Sequence, residues 1–141
     1  MNSGANNINP FEHMPKVINL DRVKCPFQIT IGLREGYKNG KLHTVKEVQK
    51  IIGEWLLEQK SADKPYLAGT ITKSTVVYAH ETVITEPVAI YDGNVNPLYR
   101  QNFNDKKIVE SLTEIVEILM KKLKQTRIYF SYLDRIYIME K

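Results

Sequence analysis

Residues 27–34 read FQITIGLR, and their alternation decides the fold. Phe27, Ile29, Ile31 and Leu33 share one parity, while Gln28, Thr30, Gly32 and Arg34 share the other. A period of two sets the first group against a core and leaves the second on an open sheet face. The next segment changes period. Thr44, Val45, Lys46 and Glu47 spell a capping box, in which the Thr44 hydroxyl accepts the Glu47 amide and the Glu47 carboxylate reaches back. Val45, Val48, Ile52, Trp55 and Leu56 recur at helical spacing and predict a helix over 45–59. Between strand and helix, Asn39-Gly40 predicts a short hairpin with a type I′ turn.

Outward from this unit the same two periods repeat. YLAGTITKSTVVYAH (66–80) is rich in β-branched residues and predicts a long strand, with an impure alternation that implies a bulge or a two-faced environment. EPVAIYD (86–92) predicts a third strand entered through Pro87. Asn104 or Asp105 caps a second helix whose stripe is Ile108, Val109, Leu112, Ile115, Val116, Leu119 and Leu123. RIYFSYLDRIYIMEK (127–141) predicts one long bent strand or a hairpin around Leu133-Asp134. The order β-α-β-β-α-β is that of an α+β, ferredoxin-like (split βαβ) sandwich, an antiparallel sheet with two helices on one face. Residues 1–16, rich in Asn, Gly and Pro, predict a flexible N-terminal arm ahead of a single domain over 17–141.

Composition excludes more than it selects. The 141 residues carry 20 Lys+Arg against 16 Asp+Glu, a net charge of +4 without the clustered basic stripe of a dedicated nucleic-acid binder. Cys25 is the only cysteine, which rules out an intrachain disulfide and a structural zinc site built on cysteines. His13, His43 and His80 stand in no metal-ligand spacing. No metal or cofactor is expected. No apolar run reaches the length of a membrane span and no leader pattern opens the chain, so the cytoplasm is the expected location. Serine-hydrolase, P-loop and Rossmann motifs are absent.

Candidate sites follow from loop length and strand parity. YDGNVNPLYRQNFNDKK (91–107) is longer than a strand-to-helix connection requires and carries turn residues beside aromatic anchors. Asn94, Asn96, Tyr99 and Arg100 of this loop, with Arg34, Arg127 and Tyr129 on the open sheet face, are the expected ligand-binding residues. Their chemistry suits a small anionic, nucleotide-like ligand. Parity also assigns Ser131, Arg135 and Tyr137 to that face, and Tyr and Arg there predict self-association into a homodimer or larger assembly. These residues support the expectation of a non-catalytic, homo-oligomeric binding protein that senses or sequesters its ligand.

Two alternatives belong to other classes. Tyr78, His80 and Glu81 at a strand end could form the acid-base site of a small cofactor-independent enzyme. Arg and Tyr on a flat sheet could also bind single-stranded RNA, although no strand carries the paired aromatics of the RNP1 pattern. Nucleic acid is thus a possible but unfavoured partner, and a membrane is not expected.

Overall fold

The computed structural model describes residues 25–36, 39–95 and 103–141. The expected arm at 1–16 lies outside the described residues, as do Asn96, Tyr99 and Arg100. Strand β1 (Pro26–Gly32) leads through a hairpin to helix α1 (Val45–Ser61). Strands β2 (Thr70–Ala79) and β3 (Val83–Asn94) follow, then helix α2 (Asp105–Lys122) and strands β4 (Arg127–Tyr132) and β5 (Arg135–Glu140). The sheet order is β2-β3-β1-β4-β5, and every recorded pairing is antiparallel. Its first four strands have the expected ferredoxin-like order, with β5 added at the edge beyond β4.

The alternation in β1 places the core. Phe27, Ile29, Ile31 and Leu33 are buried with Val48, Ile52 and Trp55 of α1 and with Ile108, Leu112, Ile115 and Leu119 of α2. Both helices therefore cover one sheet face. Each fully buried Ile or Leu contributes about 1.5–3 kcal/mol relative to exposure, so this layer supplies most of the folding drive. The caps match their sequence signals. The Thr44 side chain and Glu47 form the reciprocal capping box, and Asn104 accepts the Lys107 amide at the start of α2.

Three local expectations are corrected. Before α1, Arg34 bridges to Leu42 as a hairpin requires, but among the described residues of the turn the left-handed one is Gly36 (φ 60°) rather than Asn39 or Gly40. Strand β3 runs through Asn94, so the connection to α2 begins later than the sequence suggested. At the C-terminus the hairpin reading holds: Tyr132 pairs with Arg135, Phe130 with Tyr137 and Ile128 with Met139. A two-residue turn inverts the parity of β5, so Tyr137 faces the helices and Ile136 and Ile138 face away, the reverse of the parity assignment.

Strand β2 has no bulge along its register with β3. Its impure alternation has another cause. The β2–β3 ladder continues past Gly32↔Val88, the last pair with β1, from Thr75↔Pro87 to Ala79↔Val83. Among the described residues that ribbon meets no third strand on either side, and Val76, Val77, Tyr78 and Val83 are all exposed.

Candidate functional site

Among the described residues, the expected ligand residues Arg34, Asn94, Arg127 and Tyr129 are not gathered at one place. Asn94 pairs with Pro26 at one end of β1, while Arg34 follows the other end, roughly 25 Å away at about 3.3 Å per residue. Arg34 donates to the Gly40 carbonyl within its own hairpin at 3.2 Å. Arg127 and Tyr129 lie together on the helix-free face, the Arg127 guanidinium 3.4 Å from the Tyr129 hydroxyl and 3.5 Å from Glu140. In the acid-base alternative, Tyr78 donates to Glu86 across the ribbon at 2.9 Å, not to Glu81. His80 and Glu81 sit in the turn at the ribbon's tip, where the His80 amide reaches the Thr82 carbonyl at 3.0 Å.

A cleft of about 670 Å³ opens instead between α2 and the β4–β5 hairpin. Helical periodicity aligns Asp105, Val109 and Thr113 on one face of α2, with Lys106 and Glu110 beside them. The opposite wall is Tyr132, the Leu133-Asp134 turn, Arg135 and Tyr137. The walls are tied together. The Tyr132 hydroxyl donates to Asp105 at 2.7 Å, and Tyr137 stacks on buried Phe130 with ring centroids 4.9 Å apart and planes inclined by 12°. Stacking fixes one face of Tyr137 and leaves the ring's remaining surface to the cleft.

Two properties distinguish this cleft from an ordinary surface groove. Asp105, Glu110 and Asp134 outnumber Lys106 and Arg135 there, a local negative balance in a chain whose net charge is +4. Such a lining attracts cations, and the partly exposed Tyr137 ring adds quadrupole attraction for a positive centre. Leu133 also holds a left-handed backbone, φ 57°, at a position where Asn or Gly is the usual choice. A strained bulky residue at the rim of a cleft is a mark of functional sites.

A smaller cleft of about 420 Å³ lies at the β1–β3 end and includes Asn94, Asp92, Gln28 and Ser131. Its carboxylate is already engaged, since Thr70 donates to Asp92 at 3.0 Å. The buried His43 is engaged too: its two ring nitrogens each lie 2.6 Å from a carboxylate oxygen, of Glu35 and of Glu47. The bond from His43 is the main cause holding the Glu47 carboxyl below its ordinary value of 4.5. This triad clamps the 34–42 hairpin to the start of α1. Among the described residues no cluster of His, Cys, Asp and Glu is arranged to hold a metal ion.

No family model matches the chain, and no curated protein matches it. Its shape does have counterparts. It superposes on a phage SAM lyase in complex with S-methyl-5′-thioadenosine with a TM-score of 0.65, and on a phage SAM lyase in its apo state with 0.63. Each is 12% identical, and the match covers 90% of this chain and 97% of the other. The fold is shared with a lyase. That likeness overturns the expectation of a non-catalytic binding protein, because the architecture matched almost end to end is one on which an enzyme is built.

The sequence reading missed the α2–β5 cleft for traceable reasons. Asp105 was recognised only as a cap and Tyr137 was placed on the wrong face. The available signal was Leu133-Asp134: a hairpin turn there makes Tyr132 and Tyr137 neighbours on the helix side. No described helix is long and apolar enough to cross a membrane.

Proposed function

We propose that this chain is an enzyme that binds S-adenosylmethionine and cleaves it as a lyase, with the α2–β5 cleft as its substrate site. The observation that carries the reading is the correspondence of fold, over 90% of the chain, with a lyase whose complex holds S-methyl-5′-thioadenosine. The cleft supports it on chemical grounds. Its volume, about 670 Å³, is in the range of small-molecule sites, and its negative balance suits a substrate that carries both a sulfonium and an ammonium. Tyr137 offers ring surface to the adenine or the sulfonium, and Lys106 and Arg135 offer donors to the substrate carboxylate.

S-methyl-5′-thioadenosine retains the adenosyl and methyl groups of S-adenosylmethionine. The bond that breaks therefore joins sulfur to the amino-acid side chain. As it breaks, its electron pair goes to sulfur, giving a neutral thioether, while an oxygen of the substrate's own carboxylate bonds to the carbon that sulfur leaves and closes a lactone, so the step needs no added proton and no second reactant. The protein's contribution is then to bind the cation, hold one conformer and strip it of water. Positive charge at sulfur fades in the transition state, so carboxylates beside it strengthen binding more than they accelerate cleavage.

Isothermal titration of S-adenosylmethionine and of S-methyl-5′-thioadenosine tests the assignment. Both should bind the parent chain, and Tyr137→Ala should weaken both at least about tenfold, equivalent to about 1.4 kcal/mol. Unchanged affinity in a folded Tyr137→Ala variant would remove the cleft from the reading.

A further inference from the structure

The charged side chains that line the α2–β5 cleft are not equivalent. Lys106, Glu110, Asp134 and Arg135 are exposed, whereas Asp105 is half-buried in the first turn of α2. Charges out in water interact weakly and are screened by salt, while a charge partly withdrawn from water acts through a lower effective dielectric. One carboxylate therefore dominates the field that a ligand meets inside the cleft.

That carboxylate is also held in place. Tyr132, 2% exposed, donates its hydroxyl to Asp105 Oδ1 at 2.7 Å. The Tyr132 ring belongs to the core cluster, and its backbone pairs with Phe27 on one side and Arg135 on the other. Capping does not account for Asp105, because the N-cap of α2 is Asn104, which accepts the Lys107 amide at 2.9 Å. The amides of the first helical turn favour a negative side chain at this position. A group fixed before the ligand arrives loses little freedom when the ligand binds, so more of its attraction is expressed as affinity.

We propose that Asp105, positioned by Tyr132, makes the cleft select a ligand that is positive at sulfur over the same ligand with a neutral thioether. The inference rests on the reading of the cleft as the substrate site, and it names what that site recognises. S-adenosylmethionine carries a sulfonium and S-adenosylhomocysteine a thioether, so besides a methyl group the two differ by a full charge, which a fixed carboxylate reads directly. Cleavage removes the same charge. The carboxylate that draws the substrate in therefore loosens its hold on the thioether product, and its attraction lowers KM more than it raises kcat.

Isothermal titration of the full chain with sinefungin and with S-adenosylhomocysteine tests the selection. Sinefungin carries an ammonium group where the sulfonium stands and has no carbon–sulfur bond to break, whereas S-adenosylhomocysteine is neutral there. The parent chain should prefer sinefungin at least about tenfold. Asp105→Asn keeps an oxygen for the Tyr132 hydroxyl but removes the charge, and the preference should fall to about twofold or less. Tyr132→Phe keeps the charge but not its tether, and should fall between the two. In cleavage of S-adenosylmethionine, Asp105→Asn should raise KM about tenfold with kcat unchanged or higher, a split that a merely structural role would not produce. A preference that is missing in the parent chain, or that survives in Asp105→Asn, overturns the proposal and leaves the cleft as the substrate site. Tyr132→Phe with the full preference of the parent overturns the positioning role. A parent chain that binds neither compound overturns the proposal and the proposed function together.

Discussion

His43 Nε2 lies 2.6 Å from Glu35 Oε2, with the histidine almost fully buried and the glutamate near the surface. The same ring reaches Glu47 through Nδ1. Both ring nitrogens of the buried imidazole thus have a carboxylate partner, one from the hairpin and one from the first turn of α1. His43→Ala should cost about 1–3 kcal/mol in urea denaturation, the range for losing hydrogen bonds to charged groups. Acid should weaken the clamp as well. The folded Glu47 carboxyl titrates below 4.5, so its stabilisation is present above that pH and is lost as pH falls through the lowered value. Glu47→Gln should flatten this part of the acid limb, and an unchanged limb would show that Glu47 is not linked to folding.

Tyr91 gives a linkage of the opposite sense. Its buried hydroxyl donates to the Leu67 carbonyl, and burial pushes its pKa from 10.0 up to about 12. A raised value leaves its stabilisation intact below pH 10 and removes it as pH rises through about 12. Tyr91→Phe should lose about 0.5–1.5 kcal/mol at neutral pH through the missing hydrogen bond. The gap between parent and variant should then narrow in alkaline denaturation series.

Two glycines should respond with opposite signs to the same substitution. A Cβ at Gly69 would stand 2.4 Å from the Asp92 backbone oxygen, so the β2 entrance and the end of β3 would have to separate. Gly69→Ala should cost about 1–3 kcal/mol, as overpacking does. Gly53 lies within α1 and a Cβ there meets nothing within 4 Å. Gly53→Ala should raise stability by about 0.5–1 kcal/mol. Equal effects in thermal melts would contradict this reading of the packing.

The element order, both caps and the helix stripes were legible in the sequence because each rests on local periodicity or on a residue's own hydrogen-bonding reach. The placement of Tyr137 was not. Ile128, Phe130, Tyr132, Ile136 and Ile138 keep one parity along the chain, and only the turn at Leu133-Asp134, with a backbone φ unusual for leucine, reverses it. That reversal moves an aromatic ring from the open face into the cleft. The ribbon was hidden for a related reason: an alternation that fails because a third strand stops short looks the same, in sequence, as one broken by a bulge. The cleft unites α2 with the β4–β5 hairpin through the Tyr132–Asp105 bond, 27 residues apart in the chain, which no local pattern reports.

Leu133 offers a test of strain at the cleft. Left-handed backbone costs an ordinary L-residue about 1–2 kcal/mol, and asparagine tolerates it better. Leu133→Asn should therefore stabilise the fold by up to about 1 kcal/mol while weakening S-methyl-5′-thioadenosine binding in titration, because Leu133 lines the cleft. A variant that gains stability and binds as before would separate the strain from the site.

The most direct test of the catalytic reading is chromatography of S-adenosylmethionine incubated with the purified chain, set against buffer alone and a folded Tyr137→Ala variant. We expect S-methyl-5′-thioadenosine to accumulate with the parent chain well above the buffer rate and to fall to that rate with the variant. Substrate that stays at the buffer rate with the parent chain, or S-adenosylhomocysteine appearing in place of the thioadenosine, would contradict it.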